Sequence, residues 1–202
     1  MTQVRQYSLS DAPHHDHLRL TVKRQDANGQ APAGKVSTAL HFGVGEGDVI
    51  ELSFPQGHFV VDQEKDTPLV LLSGGVGVTP MLGMLGHIAK EQPKRAIHFA
   101  HAARNRDVHA MNDWIRAMAE CHEKLDVEIY YEEIGAADVA GRHYDKQGRI
   151  DAGQIAAQDH LVDADYYICG PRGFMSAQIA SLKQAGIPDS RIHAEFFGAS
   201  LG

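Results

Sequence analysis

The chain has 202 residues, 43% of them hydrophobic and 22% charged, which is sufficient for a packed globular core in one or two domains. Its formal net charge of −7 excludes the basic surface that a nucleic-acid-binding protein presents to phosphates. Two cysteines are too few for a disulfide framework and the first ten residues contain no apolar leader segment, so we expect a cytoplasmic protein.

Residues 1–62 have a β-rich pattern. Leu18, Leu20 and Val22 alternate with polar residues, as in a half-buried strand. Stretches of loop composition, DAPHHDH and DANGQAPAG, lie on either side of this run. The predicted elements of this part are strands at residues 4–10, 18–25 and 48–54 and a short helix at residues 37–42.

From residue 66 onward, apolar strands alternate with helices. The predicted strands are residues 69–73, 96–101, 127–131, 166–169 and 192–197, and the predicted helices are residues 79–90, 112–123, 151–158 and 174–184. This alternation predicts an α/β domain with a five-stranded parallel sheet and right-handed crossovers. The charged connector VDQEKD separates two predicted domains, residues 1–63 and 66–202. The apolar run LVLLSGGVGVTPMLGMLG is interpreted as a buried βα unit, because its glycines and proline do not suit a membrane span.

Two glycine-bearing turns each follow a predicted strand and open a predicted helix. In SGGVGVTP, Gly74, Gly75 and Gly77 permit close approach of an anion to the backbone at a helix start. The spacing is neither the common dinucleotide fingerprint nor a P-loop, and a tight turn without a ligand is the alternative. The second turn, CGPRGFM, ends at the same edge of the predicted sheet, where ligands bind in open α/β folds. The two turns together favour a phosphate-bearing ligand, with Cys169 on a surface that faces it.

Six motifs occur in one order along the chain: RQYS, VKR, GKVS, GGVGVTPML, CGPRGFM and HAEFFG. With HAARNRDVHA, they resemble the ferredoxin–NADP reductase family, and most closely the reductase portion of flavohaemoglobins. The resemblance covers nearly the whole chain and implies a partial antiparallel FAD-binding β-barrel followed by an NAD(P)-binding domain. Measured against that family, the chain starts at the RxYS motif. We therefore expect it to lack the globin domain and the first barrel strands, and to expose strand edges.

The resemblance also implies roles for individual residues. Arg5 would pair with the FAD pyrophosphate through its guanidinium fork, Tyr7 would stack on the flavin ring, and Ser8 would hydrogen-bond near flavin N5. Tyr7, Ser8, Cys169 and Glu195 are the implied catalytic residues, which hold the nicotinamide against the flavin. The implied cofactor-binding residues are Arg5, Gln6, Tyr7, Ser8, Val22, Lys23, Arg24, Gly34, Lys35, Val36, Ser37, Gly74, Gly75, Val76, Gly77, Val78, Thr79, Pro80, Arg104, Cys169, Gly170, Pro171, Arg172, Gly173, Phe174, Met175, Glu195, Phe196, Phe197 and Gly198.

The implied reaction is hydride transfer from NADH or NADPH to FAD, then electron transfer to an acceptor such as a haem globin domain or chain. Arg104 follows the second predicted strand of the α/β domain, where an arginine can accept the 2′-phosphate of NADPH. The resemblance implies NADH, which is the coenzyme we expect. Taken singly, each implied residue also fits a structural role. The alternative function is a truncated, flavin-deficient nucleotide-binding or interaction module without reductase activity.

The 13 histidines do not predict a metal site. The three in DAPHHDH lie in a polar loop without a second ligand cluster of defined spacing. His98, His101 and His109 straddle the end of a predicted strand without the HExxH spacing, and we interpret them as packing and loop residues.

Overall fold

A computed structural model of the chain describes residues 3–13 and 16–197. Its strands are β1 (Leu69–Gly74), β2 (Ile97–Ala103), β3 (Leu125–Tyr131), β4 (Lys146–Gln147), β5 (Asp165–Gly170) and β6 (Ile192–Phe196). Its α-helices are α1 (Lys35–Phe42), α2 (Val78–Glu91), α3 (Asn112–Cys121), α4 (Ala152–Ala156) and α5 (Arg172–Gln184). The longest helix of the described residues, α2, has 14 residues, and none in this part of the chain has the length and hydropathy of a membrane-spanning segment.

The six strands form one parallel sheet in the order β4-β3-β2-β1-β5-β6, which confirms the predicted α/β class. Every residue of β1 and of β5 is buried, as expected for parallel strands covered on both faces. Alternate residues of β1 enter different apolar clusters. Leu71 joins the cluster under α2 and α3, whereas Val70 and Leu72 join the cluster under α4 and α5.

The strand order reverses direction at β1. From β1 the chain moves outward through β2 and β3 on one side, and β5 and β6 lie on the other side. A parallel sheet of this kind has a crevice at its carboxyl edge where the two winding directions separate. The crevice therefore lies between the ends of β1 and β5, which are the strands followed by the two glycine-bearing turns.

The prediction of five strands is wrong, because the sheet has a sixth, short strand. β4 pairs Lys146 with Tyr130 and Gln147 with Tyr131 at the edge of the sheet. The backbone N–H of Gly148 extends this pairing by donating to the carbonyl of Tyr131 at 2.8 Å. A polar strand of two residues has no hydrophobic periodicity, so the sequence contained no pattern that would have predicted it.

The predicted barrel strands do not form a sheet in the described part of residues 1–66. Residues 4–10 and 18–25 meet at one antiparallel bridge, Leu9 to Leu20, which is supported by a 2.9 Å hydrogen bond from Ser10 N–H to the Arg19 carbonyl. No strand forms over residues 48–54. Strand-forming residue types are insufficient here, because an isolated strand pair needs further strands and a packed face to be stable. The predicted short helix is confirmed as α1.

The N-terminal segment is nevertheless attached to the α/β domain. Ala12 is buried and contacts α2, and the backbone of Leu9 and Asp11 lies close to the same helix. The approach is close because α2 presents two glycines there. A Cβ atom at Gly83 would lie 3.2 Å from the carbonyl oxygen of Leu9, and one at Gly86 would lie 3.3 Å from the Cβ of Ala12. These helix glycines are therefore explained by packing of the N-terminal segment.

Candidate functional site

The first glycine turn is a 3-10 turn, Gly75–Gly77, between β1 and α2. Gly75 has a positive φ of +52°, and a Cβ atom there would meet nothing within 4 Å, so this side of the turn is open. Gly77 has the opposite environment. A Cβ atom there would overlap the carbonyl group of Cys169 and lie 2.6 Å from the amide nitrogen of Gly170. The turn can therefore lie against the end of β5 only because residue 77 has no side chain.

The second glycine turn meets the first directly. A Cβ atom at Gly170 would lie 3.1 Å from both the nitrogen and the oxygen of Gly74, and one at Gly74 would lie 3.1 Å from the ring of Phe174. Neither Gly77 nor Pro171 caps its helix with a side chain. The first amide groups of α2 and α5 therefore lie at one edge of the sheet, with the positive ends of both helix dipoles. Such an arrangement suits an anionic ligand such as a pyrophosphate.

Cys169 and Glu195 are direct neighbours on β5 and β6. The structure buries the Cys169 thiol completely, which corrects the expectation that this side chain faces the ligand surface. The reason is that the first glycine turn covers the end of β5. Burial raises the pKa of Cys169 to about 12, and the nearby Glu195 carboxylate adds to the rise. Burial also raises the pKa of Glu195. The thiol therefore stays neutral and is not a nucleophile at neutral pH.

A chain of polar side chains extends from the first glycine turn across β2 and β3. Ser73 Oγ and His101 Nδ1 share a hydrogen bond of 2.8 Å, and His109 Nδ1 and Tyr131 Oη share one of 2.9 Å. The rings of His101 and His109 lie 4.7 Å apart between their centroids. Burial lowers the pKa of His101 well below 6.5, and burial followed by the charge of Arg116 lowers that of His109 to about 4. Both rings are neutral at pH 7.

Sequence reasoning assigned these histidines to packing and did not consider Ser73 or Tyr131. The available signal was the position of polar residues at the ends of three consecutive strands, which meet at one edge of a parallel sheet. Arg104 follows β2 at the same edge and is exposed. Its carbonyl accepts a 2.8 Å hydrogen bond from the N–H of Glu133, which holds the backbone in place after the strand.

The RQYS motif lies at the exposed start of the N-terminal segment. Arg5 donates to the carbonyl of Val4 at 2.8 Å. Partial burial raises the pKa of Tyr7, and the nearby positive charge of Arg5 opposes the rise, so these two side chains are close. Among residues 3–13 and 16–197, no hydrogen bond, ion pair or ring contact joins this motif to either glycine turn.

Helix α1, which begins in the GKVS motif, contacts the VKR motif and the residue that follows it, Gln25. Gly34 N–H donates to the carbonyl of Gln25 at 2.9 Å, and the Ser37 hydroxyl accepts from Gln25 N–H at 3.2 Å. At the other end of α1, His41 Nε2 hydrogen-bonds the Val22 carbonyl at 2.8 Å. Gly34 provides no side-chain cap, so the first amides of α1 and the Lys35 charge lie together. Gly198, His14 and His15 lie outside the described residues.

The family described as "Oxidoreductase NAD-binding domain" matches residues 71–179, which include both glycine turns. Two flavohemoproteins are similar over nearly the whole chain. That of Chromobacterium violaceum is 48% identical over 202 residues, which are 100% of this chain and 50% of the relative. That of Bordetella pertussis is 47% identical over 199 residues, which are 98% of this chain and 49% of the relative. The chain thus spans about half the length of these relatives.

Among solved structures, the chain is similar to the flavohem-like FAD/NAD-binding domain of nitric oxide dioxygenase from Vibrio cholerae O1 biovar El Tor. The TM-score is 0.83 and the identity is 32%, with 97% of this chain and 78% of that chain covered. The similarity therefore includes the N-terminal segment, and not the nucleotide-binding sheet alone.

Proposed function

This chain belongs to the oxidoreductase NAD-binding family, in the flavohaemoglobin branch of the ferredoxin–NADP reductases, and we propose that it passes hydride from NAD(P)H to FAD. The observation that carries this proposal is the contact between the two glycine turns at the reversal point of the sheet. Gly77 packs on the Cys169–Gly170 peptide, and the α2 and α5 amino ends lie beside it. A dinucleotide pyrophosphate is an anion that suits this edge of an α/β sheet.

The residues of the glycine turns fit a nicotinamide dinucleotide. Gly75 is open to solvent on the side where its Cβ would lie, which leaves space for a phosphate against the backbone. Next to it, the partly buried Glu195 on β6 is paired with the fully buried Cys169 on β5. Because the thiol is buried and neutral, it supports the first glycine turn and does not act as a competing nucleophile. Glu195 and the glycine turns orient the nicotinamide ring, which is a contribution of proximity.

The N-terminal motifs fit FAD by their chemistry. The uncapped start of α1 at Gly34 carries free amide groups next to Lys35, which suits a pyrophosphate. Arg5 is an exposed guanidinium and Tyr7 a partly buried ring close to it. We propose that Arg5 and the α1 start bind the pyrophosphate, while Tyr7 and Ser8 contact the ring system. When bound, FAD supplies the conversion between two-electron hydride chemistry and single-electron transfer.

We propose NADH as the donor. Arg104 is exposed at the end of β2, so its side chain can reach a ribose bound at this edge. An arginine at this place favours NADPH, whereas the resemblance to the reductase portion of flavohaemoglobins favours NADH. Parallel titrations with the two coenzymes distinguish these assignments.

We further propose that a haem protein accepts the electrons. The relatives are named flavohemoproteins and are about twice as long as this chain, so the acceptor is a further domain or a separate chain. Mixing NADH-reduced protein with a ferric globin under anaerobic conditions tests this step, since haem reduction shifts the Soret band.

We propose a cytoplasmic location for the protein, which agrees with its two free thiols, at Cys121 and Cys169.

A specific observation favours a second function. The predicted barrel strands are not paired into a sheet, and Val49 and Phe54 in this segment are 98% and 90% exposed. A chain with this surface is suited to act as a flavin-deficient nucleotide-binding or interaction module.

One absorption experiment separates the two functions. The purified chain is incubated with excess FAD, passed through a desalting column, and scanned between 350 and 500 nm, roughly the range of flavin absorption. Retained flavin that is bleached anaerobically by NADH supports the reductase. A colourless protein refutes the reductase and supports the binding module. Flavin that is retained but bleached by neither NADH nor NADPH refutes the donor site at the glycine turns.

A further inference from the structure

Three potential metal ligands lie together on the sheet face that packs against α4 and α5. We name His98, Asp126 and Glu128 the β2–β3 cluster. In the parallel register His98 is paired with Asp126, and Ala100 is paired with Glu128, so all three side chains leave the same face. One ligand atom from each lies within 4.8 Å of the others. His101, a histidine of the proposed dinucleotide edge, lies on the opposite face of β2.

His98 is buried between the two carboxylates of the cluster. Its side chain is 0% exposed, and its Nε2 atom has no hydrogen-bond partner among the described residues. Nδ1 lies 2.9 Å from Oδ2 of Asp126, and Nε2 lies 3.8 Å from Oε2 of Glu128, so the ring is directed into the cluster. Leaving a buried polar atom in this state carries an energetic cost. A cation bound between the ring and the carboxylates removes that cost.

The surroundings of Glu128 fit a ligand that is held in place by its neighbours. Tyr130 donates to Oε2 at 2.6 Å, and Lys146 donates to Oε1 at 2.7 Å. Ligating carboxylates in metalloproteins have such hydrogen-bond partners, which set their orientation. Asp126 has 59% of its side chain exposed, so an ion can enter from solvent although His98 is buried.

We propose that the β2–β3 cluster is a binding site for a divalent cation of the zinc type. One imidazole nitrogen and two carboxylate oxygens form a mixed donor set, with water in the fourth position. The nitrogen donor favours Zn²⁺ over Ca²⁺ or Mg²⁺, which prefer oxygen ligands alone. Because His98 and Asp126 lie near the amino ends of their strands, the site is removed from the carboxyl edge where the dinucleotide is proposed to bind. The cation therefore links β2 to β3 rather than taking part in hydride transfer.

The test is a zinc titration of EDTA-treated, dialysed full-length chain by calorimetry, together with thermal unfolding with and without ZnCl₂. We expect one high-affinity Zn²⁺ per chain and a higher Tm in its presence, because a cation that binds only the folded state stabilises it. Asp126→Asn and Glu128→Gln each weaken zinc binding by at least about 100-fold, since even partners of the ligands contribute about 10–100-fold. Both variants lose the zinc-dependent rise in Tm.

Two exposed residues outside the cluster provide matched controls, His58→Ala and Glu120→Gln. They retain the affinity and the Tm rise of the unchanged protein. The carboxylate variants are preferred to His98→Ala because His98 is fully buried and its loss also removes packing. Circular dichroism without zinc verifies that each variant is folded. An unchanged protein that binds no zinc overturns the proposal. The proposal is also overturned if Asp126→Asn binds zinc as tightly as the unchanged protein. The same holds if the two control variants lose as much zinc affinity as the carboxylate variants do.

Discussion

Gly77→Ala tests the contact on which the proposed dinucleotide site depends. Gly77 has φ −60° and ψ −9°, a conformation that alanine adopts without strain. The whole penalty is therefore steric. The new methyl group would overlap the Cys169 carbonyl, and ordinary carbon contacts of about 3.5 Å require a separation larger by on the order of 1 Å. The end of β5 cannot move freely, because it is paired with β1 up to Ser73–Cys169.

Overpacking a rigid contact typically lowers the free energy of unfolding by about 1–3 kcal/mol. Because the new methyl group would meet backbone atoms of β5 and not a flexible side chain, we expect a loss of about 3 kcal/mol for Gly77→Ala. Urea unfolding followed by circular dichroism measures the loss as a lower midpoint at unchanged slope. Under the proposed function, the same variant also binds NADH more weakly, because the first glycine turn is displaced from β5. Nucleotide binding is measured by calorimetry on variant protein that is still folded.

Alanine substitutions at two other glycines of the turns serve as controls that separate the steric cost from other effects of an added methyl group. Gly75→Ala meets no atom within 4 Å but has φ +52°, so its cost is a backbone strain of about 1–2 kcal/mol. Gly173→Ala, in the first turn of α5, has open space and no positive φ, and it stabilises the protein by up to about 0.5 kcal/mol. If Gly77→Ala is no more destabilising than Gly75→Ala, the close-contact explanation of this turn is refuted.

Three further predictions concern other parts of the molecule. Burial raises the pKa of Asp165, but hydrogen bonds led by that from Lys65 outweigh it, so the folded-state pKa lies below its ordinary value of 3.8. The stabilisation is present above that value and is lost as pH falls through the folded pKa, so the difference in unfolding free energy between wild type and Asp165→Asn narrows below about pH 4. The pKa of His109 is about 4 in the folded protein and 6.5 for an ordinary histidine, so the unfolded chain binds a proton that the folded one does not. This proton uptake lowers the free energy of unfolding by about 2 kcal/mol between pH 7 and pH 5. We expect His109→Gln to reduce this loss, measured by urea unfolding at the two pH values. Tyr7→Ala retains less FAD than wild type after gel filtration, measured as flavin absorbance per chain, because the proposed stacking surface is lost.

Each of these predictions has a control. Asp163→Asn, whose carboxylate is 79% exposed, leaves the acid dependence unchanged, and a gap for Asp165→Asn that widens on acidification would contradict the assigned pKa. His58→Gln, at an exposed position, keeps the pH dependence of wild type, and the same behaviour in His109→Gln would show that His109 is not the group responsible. Tyr7→Phe keeps the ring and retains flavin. Unchanged flavin content in Tyr7→Ala would exclude Tyr7 from the flavin site.

Local pattern was sufficient to predict five of the six strands of the sheet and the helices between them. Helix α2 was predicted over residues 79–90 and spans Val78–Glu91, because a buried βα unit contains a continuous apolar run with glycine at the turn. β4 could not be predicted, since its pairing with β3 depends on position in space and not on its two polar residues. The barrel strands had the composition of strands, but their pairing requires neighbouring strands that this part of the chain does not form in the structure.

The order of the main strands and helices in the α/β domain, the positions of the two glycine turns and the family of the chain could all be predicted from the sequence. Apolar runs and glycine positions act over a few residues, so they are visible along the chain. Which strands are neighbours became evident from the fold alone. The pairing of β1 with β5 places Gly77 against Cys169 and buries its thiol, and the register of β2 with β3 places His98 between Asp126 and Glu128. Such contacts join residues far apart in sequence, and their geometry is set by packing of the whole sheet.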